Sequence, residues 1–117
     1  MSATSVGRDA EARAERFLAA KGYAALARNY RSGPREIDLV MQDGETVVFV
    51  EVKARSATRH GMPGEFVTLA KRRRLTLAAE AYLAEQDLRD VPARFDVVEV
   101  YLSTGEMRHI ENAFDAA

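Results

Sequence analysis

Three carboxylates and an ammonium group sit at two-residue spacings in the middle of this chain: Glu36, Asp38, Glu51 and Lys53, within REIDLVMQDGETVVFVEVKAR over residues 35–55. On a strand, residues two apart share a face. Carboxylates crowded on one face destabilise each other unless something neutralises them. A hard divalent cation such as Mg²⁺ does so with carboxylate and water oxygens. A lysine alongside adds a point charge that can orient an attacking water or stabilise developing negative charge. Alternating Glu and Lys is also what a solvated strand with weak cross-strand ion pairs looks like. Here, however, EVK follows directly on the apolar run VVFV, where a central strand is expected and ordinary surface charge is not.

The element that must position these groups is a hairpin. Asp43-Gly44 is a short-range turn signal, because a two-residue primed turn needs positive φ. With those two as the turn, Gln42 pairs with Glu45, Asp38 faces Phe49 and Glu36 faces Glu51. Asp38 and Glu51 become diagonal neighbours, about 7–8 Å apart at the backbone, within reach of a shared cation. Val48, Val50 and Val52 form the opposite, buried face.

Around the hairpin, a helix is predicted from about Val6 to Lys21, capped by Ser5 and stopped by Gly22, after a frayed Met1–Ser5. Its buried stripe is Ala10, Ala14, Phe17 and Leu18, with Glu11 at the border. Tyr23–Tyr30 reads as a strand leading to the Ser32-Gly33-Pro34 turn. Ser56–Gly64 is aperiodic and reads as a loop leaving the Glu51–Lys53 strand. That places Arg55, Arg59 and His60 at the mouth of any cleft there. Arg28 and Arg31 are further candidate phosphate contacts, and His60 is a weaker alternative as general base. A second helix runs from Gly64 or Glu65 to Gln86, with a stripe of Phe66, Leu69, Ala70, Leu77, Ala81 and Ala84. Lys71 to Arg74 wrap around its first half, too many successive charges for one face. Arg94–Leu102 alternates as a strand, with Asp96 expected to pair with Arg94 or Arg108. Met107–Glu111 returns as a short edge strand, and the tail docks through Phe114. The order α-β-β-β-α-β-β gives an α/β fold, a mixed central sheet flanked by two helices.

A chain of 117 residues is one domain with room for a real core. It has no cysteine and two histidines, which excludes disulfides, thiolate catalysis and cysteine-ligated zinc. No run approaches the roughly 18 apolar residues of a membrane span, and the N-terminus lacks a signal peptide's apolar region, so a cytoplasmic location is expected. The net charge of −1 argues against binding nucleic acid through bulk charge alone. Its distribution is uneven: residues 28–74 carry ten basic against six acidic side chains, and residues 75–117 three against nine. The basic excess surrounds the acidic cluster. Such a protein binds a phosphate backbone weakly and with marked salt sensitivity.

An acid on the first helix (Glu11), then REIDL at 35–39, then VFVEVKAR at 48–55, resembles the PD-(D/E)XK nuclease superfamily. More narrowly, with GRDAEARAERFLAAKGY, ARNYR, HGMPGE, RFDVVEV and HIENAF, the chain resembles the small bacterial YraN-like family, related in fold to archaeal Holliday-junction resolvases. Ile37 stands where the superfamily's motif has proline, and Arg35 where the narrower family usually has glycine. The resemblance implies a restriction-endonuclease-like fold and a metal-dependent DNA endonuclease acting on branched or junction DNA. In that scheme Asp38 and Glu51 hold Mg²⁺ (or Mn²⁺), with the Val52 carbonyl and Glu11 as further ligands, and Lys53 positions or deprotonates water. Lys71 matches a lysine of the family pattern and is the preferred phosphate contact of its run. Resolvases of this fold work as dimers, so a homodimer is the implied assembly. The alternative is a non-catalytic nucleic-acid-binding or interaction module on the same scaffold.

Overall fold

The structure is a computed structural model that describes residues 2–55 and 67–117, with side chains from residue 7 onward. The element order is α1 (Ser2–Ala20), β1 (Ala24–Ser32), β2 (Arg35–Asp43), β3 (Thr46–Arg55), α2 (Leu69–Glu85), β4 (Ala93–Tyr101) and β5 (Met107–Phe114). It matches the expected α-β-β-β-α-β-β order. One sheet contains all five strands in sequence order, antiparallel throughout except for the parallel β3–β4 pair. A parallel neighbour needs a long crossover, and α2 is that crossover.

The two helices cover opposite faces of the sheet. Ala10, Ala14 and Leu18 of α1 pack on Leu39, Met41, Val48, Val50, Val98 and Val100. Leu75, Ala78, Ala79 and Tyr82 of α2 pack on Ile37, Val40, Val47, Phe49 and Phe95. This explains why VVFV is apolar at every position: a strand covered on both faces has no solvent side. Phe114 stacks on Phe95, with ring centroids 4.9 Å apart, and ties the C-terminal strand to the α2 layer.

Several boundaries and faces differ from the sequence reading. The first helix begins at Ser2, so Ser5 lies inside it. Its end is as expected: Gly22 takes φ 97°, and the amides of Gly22 and Tyr23 return to the carbonyls of Ala19 and Leu18, a Schellman closure. The hairpin turn is Gly44-Glu45, with Asp43 opposite Thr46 and Leu39 opposite Val50. Only Gly44 takes positive φ, 61°, as a type II′ turn requires. Asp43 instead ends the strand and accepts from Arg94. The register therefore differs by two residues, which leaves the side chains of the paired segments, 39–43 and 46–50, on the expected faces.

The second helix starts at Leu69, behind an N-cap of Thr68 whose side chain accepts from the Lys71 amide. Its buried residues, Leu75, Thr76, Ala78, Ala79 and Tyr82, correct the expected stripe, and Leu69 and Leu77 are about half exposed. Alanine and leucine occur on every side of α2, so periodicity alone chose the wrong face. Phe66, Arg59, His60 and the Ser56–Gly64 loop lie outside the described residues. The edge strand β5 is longer than expected, running to Phe114. Among the described residues no helix is long and apolar enough to cross a membrane.

Candidate metal and phosphate site

The β2–β3 ladder stops at the Leu39–Val50 pair, and the candidate site occupies the opening beyond it. Alternation also breaks there. Ile37 and Val40 both belong to the cluster under α2, although strict alternation would put them on opposite faces. On the neighbouring strand Asn29 takes a left-handed φ of 49°. The Asp38 carboxylate fills the gap, and its Oδ2 accepts the Val52 amide at 2.8 Å. Val52 thus enters the site through its amide, while the sequence reading had put forward its carbonyl.

Asp38 lies close enough to Glu51 to feel its charge, and the Asp38 carboxyl is pushed up to about 8. Burial is the leading cause, followed by the charge of Glu51, with Glu11 adding more; the Val52 amide pulls the other way. One ammonium group comes from β3 itself and one from the first turn of α2. Lys53 Nζ lies 3.7 Å from Glu51 Oε2, and Lys71 Nζ is in direct contact with the same oxygen. Burial lowers the proton affinity of Lys53, and the nearby Lys71 charge lowers it further. For Lys71 burial works in the same direction, but the hydrogen bond and charge of Glu51 outweigh it, so its pKa is raised.

Glu11 reaches the edge of this group through an intermediary. The Asn29 amide nitrogen donates to Glu11 Oε1 at 2.9 Å and to Glu36 Oε2 at 3.0 Å, bridging two acids. Glu36 therefore turns towards β1, where Arg31 pairs with it at 3.2 Å, and does not face Glu51. Gly7, Arg8, Glu11, Asn29, Arg31 and Glu36 line a cleft of about 260 Å³ around the Asn29 bridge.

The candidate phosphate contacts are dispersed. Lys71 joins Glu51, and Arg31 lines the Glu11 cleft. Arg28 is engaged on the α1 surface by both oxygens of Glu15 at 2.6 Å. Arg55 donates to Glu99 Oε2 at 3.2–3.3 Å. Glu99 is fully buried beside Lys53 in the parallel register, and Tyr101 and Arg108 hold its other oxygen. Sequence reasoning missed Glu99 and Asn29. The clue to Glu99 was a carboxylate inside the apolar run VVEVY; nothing in the sequence marked Asn29.

A second buried network lies on the α1 side. Asp96 is fully buried and accepts from Arg94, as expected, and from the Asn112 amide. It also meets His109 Nε2 at 2.7 Å. Burial raises its carboxyl, but these partners outweigh that and hold it below the usual range. Arg94 also donates to the Tyr23 hydroxyl at 2.6 Å. Tyr23 and Phe17 pack edge-on against the His109 ring. This network fastens the end of α1 to β4 and β5.

Fold and site together define a small three-layer α/β domain with a carboxylate pair and two lysines at the open end of its central strands. A family model described as "Uncharacterised protein family UPF0102" matches residues 10–100. The chain belongs to that family, the YraN-like family of the sequence reading. It is 50% identical over 114 residues to a UPF0102 protein of Symbiobacterium thermophilum, covering 95% of this chain and 97% of that one. A UPF0102 protein of Desulforapulum autotrophicum is 48% identical over 111 residues, 93% of this chain and 92% of the other. One from Caldicellulosiruptor saccharolyticus is 38% identical over 118 residues, covering 97% of this chain and the whole of the other.

Proposed function

We propose that this protein hydrolyses phosphodiester bonds in DNA with Mg²⁺ or Mn²⁺ as cofactor, acting on structured or branched DNA. The observation that carries the reading is the nearness of Asp38 and Glu51 with Lys53 beside Glu51, and a carboxyl pushed to about 8 by burial and like charge. Both lysines address Glu51 Oε2, and the like charge of the pair still holds the Asp38 carboxyl up. Among the described residues no three His, Cys, Asp or Glu side chains converge as a cation cage. Mg²⁺ does not need one, because it is usually held by one or two carboxylates, with waters and substrate phosphate completing the octahedron. The donor set therefore fits a hard cation.

Asp38 and Glu51 would hold the ion, and Glu11, kept in place by Asn29, adds negative charge at its edge. When bound, the cation lowers the pKa of a coordinated water and offsets charge on the phosphoryl oxygens. Lys53 Nζ orients the attacking water and, in its neutral form, accepts its proton; burial moves that form closer to neutral pH. Arg31, Arg55 and Lys71, each paired with a carboxylate, are candidate contacts to the phosphate backbone.

Cleavage of linear, nicked, flapped and four-way DNA, with and without Mg²⁺ or Mn²⁺, tests the reading. The expected result is metal-dependent cutting that disappears in both Glu51→Gln and Lys53→Met. Cutting that survives both substitutions, or none on any substrate with a folded protein, overturns it. The Lys71–Glu51 contact favours a second reading, because it neutralises part of the acidic site internally: a nucleic-acid-binding module without catalysis. Metal-independent DNA binding with no cutting would identify that case.

A further inference from the structure

Lys71 and Lys53 address one and the same oxygen, Glu51 Oε2, from different elements. Glu51 is buried, with a side chain 8% exposed, whereas that of Lys71 is 29% exposed. The backbone of Lys71 is pinned, since its amide is bonded to Thr68 Oγ1 at 3.1 Å in the first turn of α2. Its four-carbon stem is the movable part. A doubly charged ion and an ammonium group cannot both sit against one carboxylate oxygen without strong repulsion.

We propose that Lys71 is a tethered competitor of the cation: it holds Glu51 until a divalent ion displaces it, and the displaced ammonium then takes a substrate phosphate. The inference rests on the metal-site reading above and extends it to the order of events. Metal binding presents Lys71 to DNA, and a DNA phosphate that captures Lys71 clears Glu51 for metal. The two ligands therefore bind with positive coupling, equal in both directions by linkage. Lys71 is a substrate-binding residue in this scheme, and its release reports the state of the carboxylate pair to the bound backbone.

The test is calorimetric titration of Mn²⁺ into the wild-type protein, Lys71→Met, Lys71→Gln and Lys71→Arg, each first shown by a metal-free melt to be folded. Both neutral variants should bind Mn²⁺ about fivefold more tightly, the equivalent of one partly exposed ion pair. The arginine variant should stay within about twofold of wild type, as expected for a retained charge. In a Lys53→Met background, where cutting is blocked, fluorescence anisotropy of a labelled four-way junction should show tighter DNA binding on adding Mg²⁺. Further substitution of Lys71 by Met should abolish that gain. Equal or weaker Mn²⁺ affinity in the neutral variants overturns the competition while leaving the metal site standing. No Mn²⁺ binding in any of the proteins overturns both.

Discussion

Replacing Asp38 by Asn should make the metal-free protein more stable at neutral and alkaline pH. Asn keeps the shape and an oxygen that can accept the Val52 amide, and removes the charge that conflicts with Glu51. The folded-state carboxyl lies at about 8 against an ordinary 3.8. Between those values the native state holds a proton that the unfolded chain has released. Stability therefore falls as pH rises through that window and levels off above it. At about 1.4 kcal/mol per pH unit the ceiling is about 5 kcal/mol near pH 8. Asp38 is only partly buried by area and shares its site with charged neighbours, so screening reduces the expected gain to about 2 kcal/mol. For a domain of this size that corresponds to a melting temperature about 8 °C higher at pH 8. Near pH 4 the difference should nearly vanish, because the pH is then close to the ordinary 3.8 and little of the linkage has accumulated. Thermal and urea melts of both proteins from pH 4 to 9, with chelator present, measure this directly. If Asp38→Asn is no more stable than wild type at pH 8, or its gain does not change with pH, the crowded-carboxylate account is wrong.

Asn29→Ala should cost about 2 kcal/mol, combining an alanine in left-handed backbone with the loss of two hydrogen bonds to carboxylates, and Asn29→Gly should cost less because only the bonds are lost. Equal stability of all three proteins in urea would show that the Asn29 bridge holds nothing. Asp96→Ala should destabilise by about 3–5 kcal/mol, since it leaves Arg94 and His109 facing an empty buried position. Because Asp96 is held below its usual range, its contribution is present above about pH 4 and is lost as pH falls. A cost under about 1 kcal/mol at pH 7 would contradict the network's role. On α2, Leu75→Ala should cost about 2–4 kcal/mol and Leu77→Ala under about 0.5 kcal/mol, a contrast that urea melts would show to be absent if Leu77 were the core residue.

How much of this was readable from residue types depends on how many physical terms decide each feature. The strand faces were legible because a two-residue error in the hairpin register preserves parity. Val48 and Val50 stay together, and so do Glu51 and Lys53. The turn itself was misplaced because Asp-Gly and Gly-Glu both satisfy a demand for positive φ at a single glycine; the Asp43–Arg94 contact lies outside any local window. The α2 face was misread because Leu75, Ala78, Ala79 and Tyr82 compete with equally apolar Leu69 and Leu77, and only the sheet beneath decides between them. Lys71 was singled out through a resemblance, yet its contact with Glu51 depends on how the crossover helix lies against β3. Glu99 and Asn29 depend wholly on long-range partners, Arg55, Tyr101 and Arg108 for one and Glu11 and Glu36 for the other.

The single parallel pairing in the sheet bears on how the protein assembles. Strands β1, β2 and β3 form a meander closed by turns of a few residues, whereas β4 can join β3 only after the chain has travelled from Arg55 to Ala93. Short closures cost less entropy and form sooner than long ones. Kinetically, Asp38 and Glu51 should therefore meet while their countercharge from α2 is still absent, so high pH should slow early folding more than late docking. Pulse-labelled amide exchange would register this as protection of the β2–β3 amides ahead of those in β4.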